Sequence, residues 1–196
     1  MARRRRLPRS FYARDPLEVA PELLGTLLVH DGRVVRIVEV EAYCGADDPG
    51  SHAYRGPTPR TEVMFGPAGH LYVYFSYGMH WCANVVCGRP GEAGAVLLRA
   101  GAPVAGLEAI RAARPKARRD RDLTSGPARL CQALGIDGTF DGADLVKADR
   151  GVTLASDGAA LAVEPATSTR IGLSQGADLP WRWYLPGHPD VSGRPR

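Results

Sequence analysis

The run Thr26-Leu27-Leu28-Val29-His30-Asp31-Gly32-Arg33-Val34-Val35-Arg36-Ile37-Val38-Glu39-Val40-Glu41-Ala42-Tyr43 decides the fold class. Thr26 to His30 is apolar and reads as a strand. Asp31-Gly32 is a strong two-residue hairpin signal, because both turn positions need positive φ. Arg33 to Tyr43 then returns as a long strand rich in valine and isoleucine. Successive side chains of a strand point to opposite faces. Val35, Ile37, Glu39, Glu41 and Tyr43 therefore share one face; Val34, Arg36, Val38, Val40 and Ala42 share the other, which is the better core face. The first face begins apolar and ends in two carboxylates and a phenol, where the strand gives way to a long loop. Alternation alone reads most simply as Glu39 and Glu41 facing solvent. The alternative is a reactive site at the rim of a rigid element.

Working outward, Asp15-Pro16-Leu17-Glu18 has the form of a helix start, with Asp15 as N-cap, Pro16 at the first position and Glu18 closing a capping box. That helix ends near Gly25. Residues 1–14 are rich in arginine and read as a loose basic arm, and 15–196 as one domain. Downstream, 44–69 is a long Gly- and Pro-rich loop, of a length that is uncommon unless functional. His70 to Phe75 and Met79 to Cys87 read as strands around a turn at Tyr77-Gly78. Ala95 to Leu98 is a further strand closed by Arg99, and 104–114 reads as helical. Ser125-Gly126-Pro127 caps a helix that runs to Leu134 and stops at Gly135. Short strands are expected around Val152, Leu161 and Ile171, followed by Trp181-Arg182-Trp183-Tyr184. Hairpin-linked strands with few, short helices argue for an α+β fold with a mostly antiparallel sheet.

Bulk composition narrows the function classes only a little. A chain of 196 residues with formal net charge +4 is compatible with a polyanionic partner without demanding one. Of its 25 basic residues only Lys116 and Lys147 are lysines. No apolar run reaches the ~18 residues of a membrane span. The basic start is interrupted by Arg9, Arg14, Asp15 and Glu18 rather than followed by a signal-type apolar stretch, so a cytoplasmic location is expected. Cys44, Cys82, Cys87 and Cys131 have no zinc-ligand spacing, and free thiols are expected.

Three places carry chemistry. Glu39 and Glu41 are joined by Asp47, Asp48 and His52 in the loop; together these read either as a metal-dependent phosphodiesterase site or as an Asx-type turn with an incidental histidine. Tyr72, Tyr74, Phe75, Tyr77 and Trp81 crowd one hairpin. Most aromatic stripes are core, but an aromatic at the Tyr77-Gly78 turn suits wedging into a base stack. Ser125-Gly126-Pro127 offers free N–H groups at a helix start, an ordinary cap or a phosphate site.

Taken in order, Arg36 to Tyr43, His52, Thr58-Pro59-Arg60, Met64-Phe65, Leu71 to Tyr74, Tyr77-Gly78-Met79, Asn84, Leu97 to Ala100, and Ser125-Gly126-Pro127 with Leu130 to Leu134 resemble the alkyladenine (3-methyladenine) DNA glycosylase family of base-excision repair. The resemblance implies a single domain with a curved antiparallel sheet, like the C-terminal domain of methionyl-tRNA formyltransferase. It implies a monomer acting on double-stranded DNA with a damaged purine, without cofactor or metal. It implies Glu41 as the base that activates water, and Arg99 near that water and a phosphate. Tyr43, His52 and Tyr74 would line the flipped-base pocket, Asn84 would obstruct the 2-amino group of guanine, and Tyr77 would fill the gap in the duplex. Thr58, Arg60, Met64, Ser125 and Gly126 are expected along the DNA backbone. The chain departs from the family pattern at His80-Trp81 and in a longer spacing from Asn84 to Arg99. With two lysines, neither at these positions, no Schiff-base lyase step is expected.

Overall fold

The computed structural model describes residues 4–193. Chain order begins β1 (Arg5–Arg6), α1 (Arg9–Tyr12), α2 (Pro16–Leu23), β2 (Leu27–His30) and β3 (Arg33–Tyr43). After the long loop come β4 (Leu71–Ser76), β5 (His80–Val86), β6 (Ala95–Ala105), α3 (Leu107–Ala113) and α4 (Pro127–Leu134). The last strands are β7 (Thr153–Ser156), β8 (Ala166–Ser168) and β9 (Arg182–Tyr184). The fold is α+β: one curled, wholly antiparallel sheet in the order β1-β7-β2-β3-β6-β5-β4, with β9 alongside β3 and β8 alongside β9. Among the described residues no helix is long and apolar enough to cross a membrane.

The Thr26–Tyr43 run forms the expected hairpin, with His30 opposite Arg33. Asp31 and Gly32 take φ of 46° and 72°, a turn whose twist matches that of the strands. β3 is the central strand. Its first half pairs with β2, its second half with β9, and β6 runs along its other edge. Leu28, Val35, Ile37, Val38, Val40 and Leu98 are completely buried, and α2 and α4 cover the sheet. Asp15 caps α2 by accepting the Leu17 N–H at 2.8 Å.

Several elements differ from what local pattern predicts. Residues 5–12 are tied down rather than forming a loose arm. β1 pairs with β7, Tyr12 is fully buried, and Arg9 donates to Asp144 at 2.6 Å. The apolar side chains Leu7 and Tyr12, hidden among arginines in the sequence, supply the reason. β6 continues to Ala105 instead of stopping at Leu98, so α3 starts only at Leu107. Gly101 and Pro103 look like breakers, yet β5 covers β6 only from Ala95 to Leu97. Beyond that point one edge of β6 has no partner strand, which is where a proline is tolerated. No strand forms around Leu161 or Ile171; β8 lies between them. α4 starts where the Ser125-Gly126-Pro127 triplet places it, with Gly126 as N-cap.

Gly45 marks the exit from β3 into the loop. It has φ 56°, and a Cβ there would lie 2.1 Å from the Ala93 carbonyl oxygen. Gly32 has a similar positive φ but open space around it. Both Gly45→Ala and Gly32→Ala are expected to lose about 1–2 kcal/mol from the left-handed conformation. Gly45→Ala is expected to lose clearly more, because backbone must move. Urea denaturation of the two variants checks this, and equal losses would remove the close packing of Gly45 on Ala93 from the account.

Candidate active site

The second half of β3 carries its two carboxylates at zero solvent exposure, so neither faces water as alternation alone reads. The cover comes from β9 and from the segments around Ile171 and Ser192. Glu39 accepts from Arg99 Nε and Arg182 Nε, both at 2.8 Å, from the Ser192 N–H at 2.6 Å and from the Ser192 hydroxyl at 2.9 Å. Glu41 accepts the Ile171 N–H on Oε1 at 2.8 Å and the Tyr43 hydroxyl on Oε2 at 2.9 Å. Arg99 Nη1 lies 3.2 Å from Glu41 Oε1. Two buried carboxylates are thus balanced by two buried guanidiniums, the condition under which such charges are tolerated.

Arg99 shares this face by simple alternation. Ile37 pairs with Gly101 and Val40 with Leu98, and the irregularities between these pairs cancel. The continuous register places Arg99 on the Glu39 side of β6, while its neighbours Leu98 and Ala100 lie in the core. Burial works against the Arg99 charge, but Glu41 and Glu39 outweigh it and hold the guanidinium firmly protonated.

Beside the carboxylates lies a narrow slot of about 60 Å³, walled by Tyr43, Ser51, His52, Met64, Tyr72, Tyr74, Asn84 and Leu173. Tyr72 and Tyr74 project from one face of β4, their rings 5.5 Å apart and nearly parallel. His52 stands edge-on to Tyr74 at 4.6 Å, with its Nδ1 3.1 Å from the Tyr72 hydroxyl. Asn84, opposite Tyr72 on β5, donates from Nδ2 to the Tyr72 carbonyl at 3.1 Å. The slot opens into a cleft of about 490 Å³ that also touches Arg60, Tyr77, Arg99, Pro127 and Ile171. Tyr43 joins slot to carboxylate. Burial first, then the charge of Glu41, push its phenol pKa up, so it remains a donor. The Tyr74 phenol is likewise pushed up, mainly by burial.

A second buried ion pair holds this wall, and no local sequence signal announces it. Arg170 grips Asp48 with Nη1 at 2.5 Å and Nη2 at 2.7 Å, and donates to the Ala42 carbonyl at 2.9 Å. Its guanidinium lies 4.7 Å from the Tyr43 ring centroid. Asp48 also accepts the Gly50 N–H at 2.9 Å, the Asx-type turn that its neighbourhood implies. Asp48 is therefore committed to Arg170 and the loop backbone. Among the described residues no three of His, Cys, Asp and Glu converge as metal ligands.

The remaining positions separate. Tyr77 is 85% exposed at the hairpin tip with φ 50°, a conformation that costs a residue other than glycine on the order of 1 kcal/mol. Met79 beside it is also exposed. Thr58 and Arg60 are on the surface, and Arg60 covers the Tyr74 ring at 5.3 Å. Met64 is a correction: it is 2% exposed in the slot wall and offers no side chain to a DNA backbone. Ser125 donates to the Val191 carbonyl at 3.4 Å. All four cysteines are free, and burial followed by Asp15 and Asp48 pushes the Cys44 thiol up to about 12.

An aromatic slot ending beside a buried, charge-balanced carboxylate defines a class: an α+β protein with a ring-walled pocket against a carboxylate. Comparison with known proteins narrows the class. A family model described as methylpurine-DNA glycosylase (MPG) matches residues 10–189. A Burkholderia lata protein named "Putative 3-methyladenine DNA glycosylase" is 57% identical over 188 residues, covering 95% of this chain and 91% of its own. Proteins of the same name from Streptomyces avermitilis and Carboxydothermus hydrogenoformans are 50% and 49% identical, each over 95% of this chain and over 90% and 98% of their own. This chain belongs to the methylpurine-DNA glycosylase family.

His52 keeps part of its ring in solvent at the slot mouth, yet desolvation of its buried edge, and then the charge of Arg60, lower its pKa. Its NMR titration is expected to have a midpoint below the ordinary value of about 6.5, so the ring is neutral at pH 7. Arg60→Gln removes the smaller cause and should raise the midpoint without reaching the ordinary value. A wild-type midpoint at or above about 6.5 would contradict the placement of His52.

Proposed function

We propose that this protein is a monofunctional DNA glycosylase. It flips an alkylated or deaminated purine out of duplex DNA and hydrolyses the N-glycosidic bond with a water activated by Glu41. The purine class is that of 3-methyladenine, 7-methylguanine, hypoxanthine and ethenoadenine. The observation that carries this reading is the pattern of donors on Glu41. Oε1 is taken by Ile171 and Arg99, and Oε2 by the Tyr43 hydroxyl alone. A carboxylate has about four acceptor positions, so Oε2 retains one for a water beside the slot.

The rest follows from chemistry. A base inside a duplex shields its glycosidic bond and must be extruded, at a few kcal/mol that are least for damaged bases. Stacking on aromatic faces returns roughly 1–3 kcal/mol per base, and a cationic methylated purine gains more over the electron-rich faces of Tyr43 and Tyr74. The bond breaks toward an oxocarbenium-like sugar, which a nearby carboxylate favours while it takes the proton of the attacking water. Asn84 at the slot wall would oppose a 2-amino group. Tyr77, fixed at the hairpin tip, would occupy the gap left in the stack, with Thr58, Arg60, Ser125 and Gly126 toward the phosphates.

Glu41→Gln keeps the shape and the contacts of Tyr43. It is expected to bind lesion duplexes normally and to release base at least about 10²-fold more slowly. Chromatography of bases released from duplexes with single defined lesions measures this, and near-normal release by the variant would take Glu41 out of the role. Neither Lys116 nor Lys147 lines the slot or the cleft. Borohydride is therefore expected to trap no covalent enzyme–DNA adduct; a trapped adduct would show lyase chemistry and contradict the monofunctional reading.

A further inference from the structure

Ser192 lies outside the span matched by the family model, yet it touches every other member of the buried cluster except Glu41. Its N–H donates to Glu39 Oε2 at 2.6 Å and its hydroxyl to Glu39 Oε1 at 2.9 Å. Arg99 Nη2 donates to that hydroxyl at 3.3 Å, and Arg182 Nη2 to the Ser192 carbonyl at 3.0 Å. The residue is only 6% exposed. Its neighbour Gly193 packs against the Ile171 side chain, where a Cβ would lie 3.3 Å from Cδ1. Ile171 is the residue whose N–H binds Glu41.

Arg99 is shared between two carboxylates, by Nε with Glu39 and by Nη1 with Glu41. Paired guanidinium–carboxylate contacts are stronger than single ones. A Glu39 left short of donors would therefore draw the whole Arg99 fork onto itself and away from Glu41. Arg182 and both donors of Ser192 satisfy Glu39 instead. We propose that Ser192 is a positioning residue for the reaction. By occupying Glu39 and holding Nη2 of Arg99, it keeps Nη1 of Arg99 on Glu41.

This rests on the reading of Glu41 as the base. The other groups facing Glu41 are the Tyr43 hydroxyl, the Ile171 N–H with Arg170 next to it, Tyr74 and Cys82. The Ser192 hydroxyl contacts none of these, and of its two partners only Arg99 also reaches Glu41.

The test compares wild type, Ser192→Ala and Ser192→Thr in single-turnover release of hypoxanthine from a defined duplex. Binding of the same duplex carrying a tetrahydrofuran abasic analogue is measured alongside. Ser192→Ala loses two hydrogen bonds with charged groups, the one to Glu39 and the one from Arg99, and is expected to react about tenfold more slowly. Its binding should be unchanged. Ser192→Thr, which keeps the hydroxyl, should restore the rate. Should Ser192→Ala not fold, Ser192→Cys, with a weak donor of similar size, carries the same comparison. An unchanged rate in an active background would overturn the role of Ser192 alone. So would parallel losses of rate, binding and melting temperature that threonine does not rescue. A wild type that releases no base from any lesion duplex would overturn the reading of Glu41, and this one with it.

Discussion

Two carboxylates on the central strand of a sheet, both fully buried, set the terms for the rest of this molecule. Removing one such ion from water costs several kcal/mol even after relaxation. That cost is offset only if cations arrive with good geometry, and here they come from far along the chain. Arg99 comes from β6 and Arg182 from β9, each 2.8 Å from Glu39. The register of β6 on β3, which sets Arg99 on the face of the acids and Leu98 and Ala100 in the core, is part of the same solution. So is β9, which covers only the half of β3 that carries the acids. Folding of β3 against its neighbours and formation of the charged cluster are therefore one event.

The slot depends on that cluster from one side and on the Arg170–Asp48 pair from the other. Tyr43 is the common member: its hydroxyl is on Glu41 and its ring lies against Arg170. The walls come from β3, β4, β5 and the loop after β3, elements with no contact in a purely local fold. Their relative position is held by buried ion pairs and cross-strand neighbours rather than by any one element. A wall assembled in this way can hold its aromatic planes apart before anything enters, which spares an incoming ring the cost of ordering them.

Much of the frame is legible in the sequence, because hairpin chemistry and capping are local. Asp31-Gly32, Asp15-Pro16 and the Tyr77-Gly78 turn form where their residue types require. The burial of Glu39 and Glu41 is not legible from alternation, because what covers them lies up to 153 residues away. Pattern alone leaves both in solvent, and only the ordered motif set singles out Glu41. Asp48 shows the intermediate case. Its turn is readable from its neighbours, but its partner Arg170 stands in a stretch that carries no periodic signal. Met64 and the packed residues 5–12 go the other way, since polar or arginine-rich surroundings hide apolar side chains that the core takes in.

The Tyr77 ring is mounted on a closed turn, with the Met79 N–H bonded to the Ser76 carbonyl at 3.2 Å. Both Tyr77 and Gly78 have positive φ, so little backbone freedom separates the ring from the sheet. The same ring is one wall of the cleft that leads to the slot. A body that touches the tip of the hairpin therefore stands at the mouth of that cleft as well.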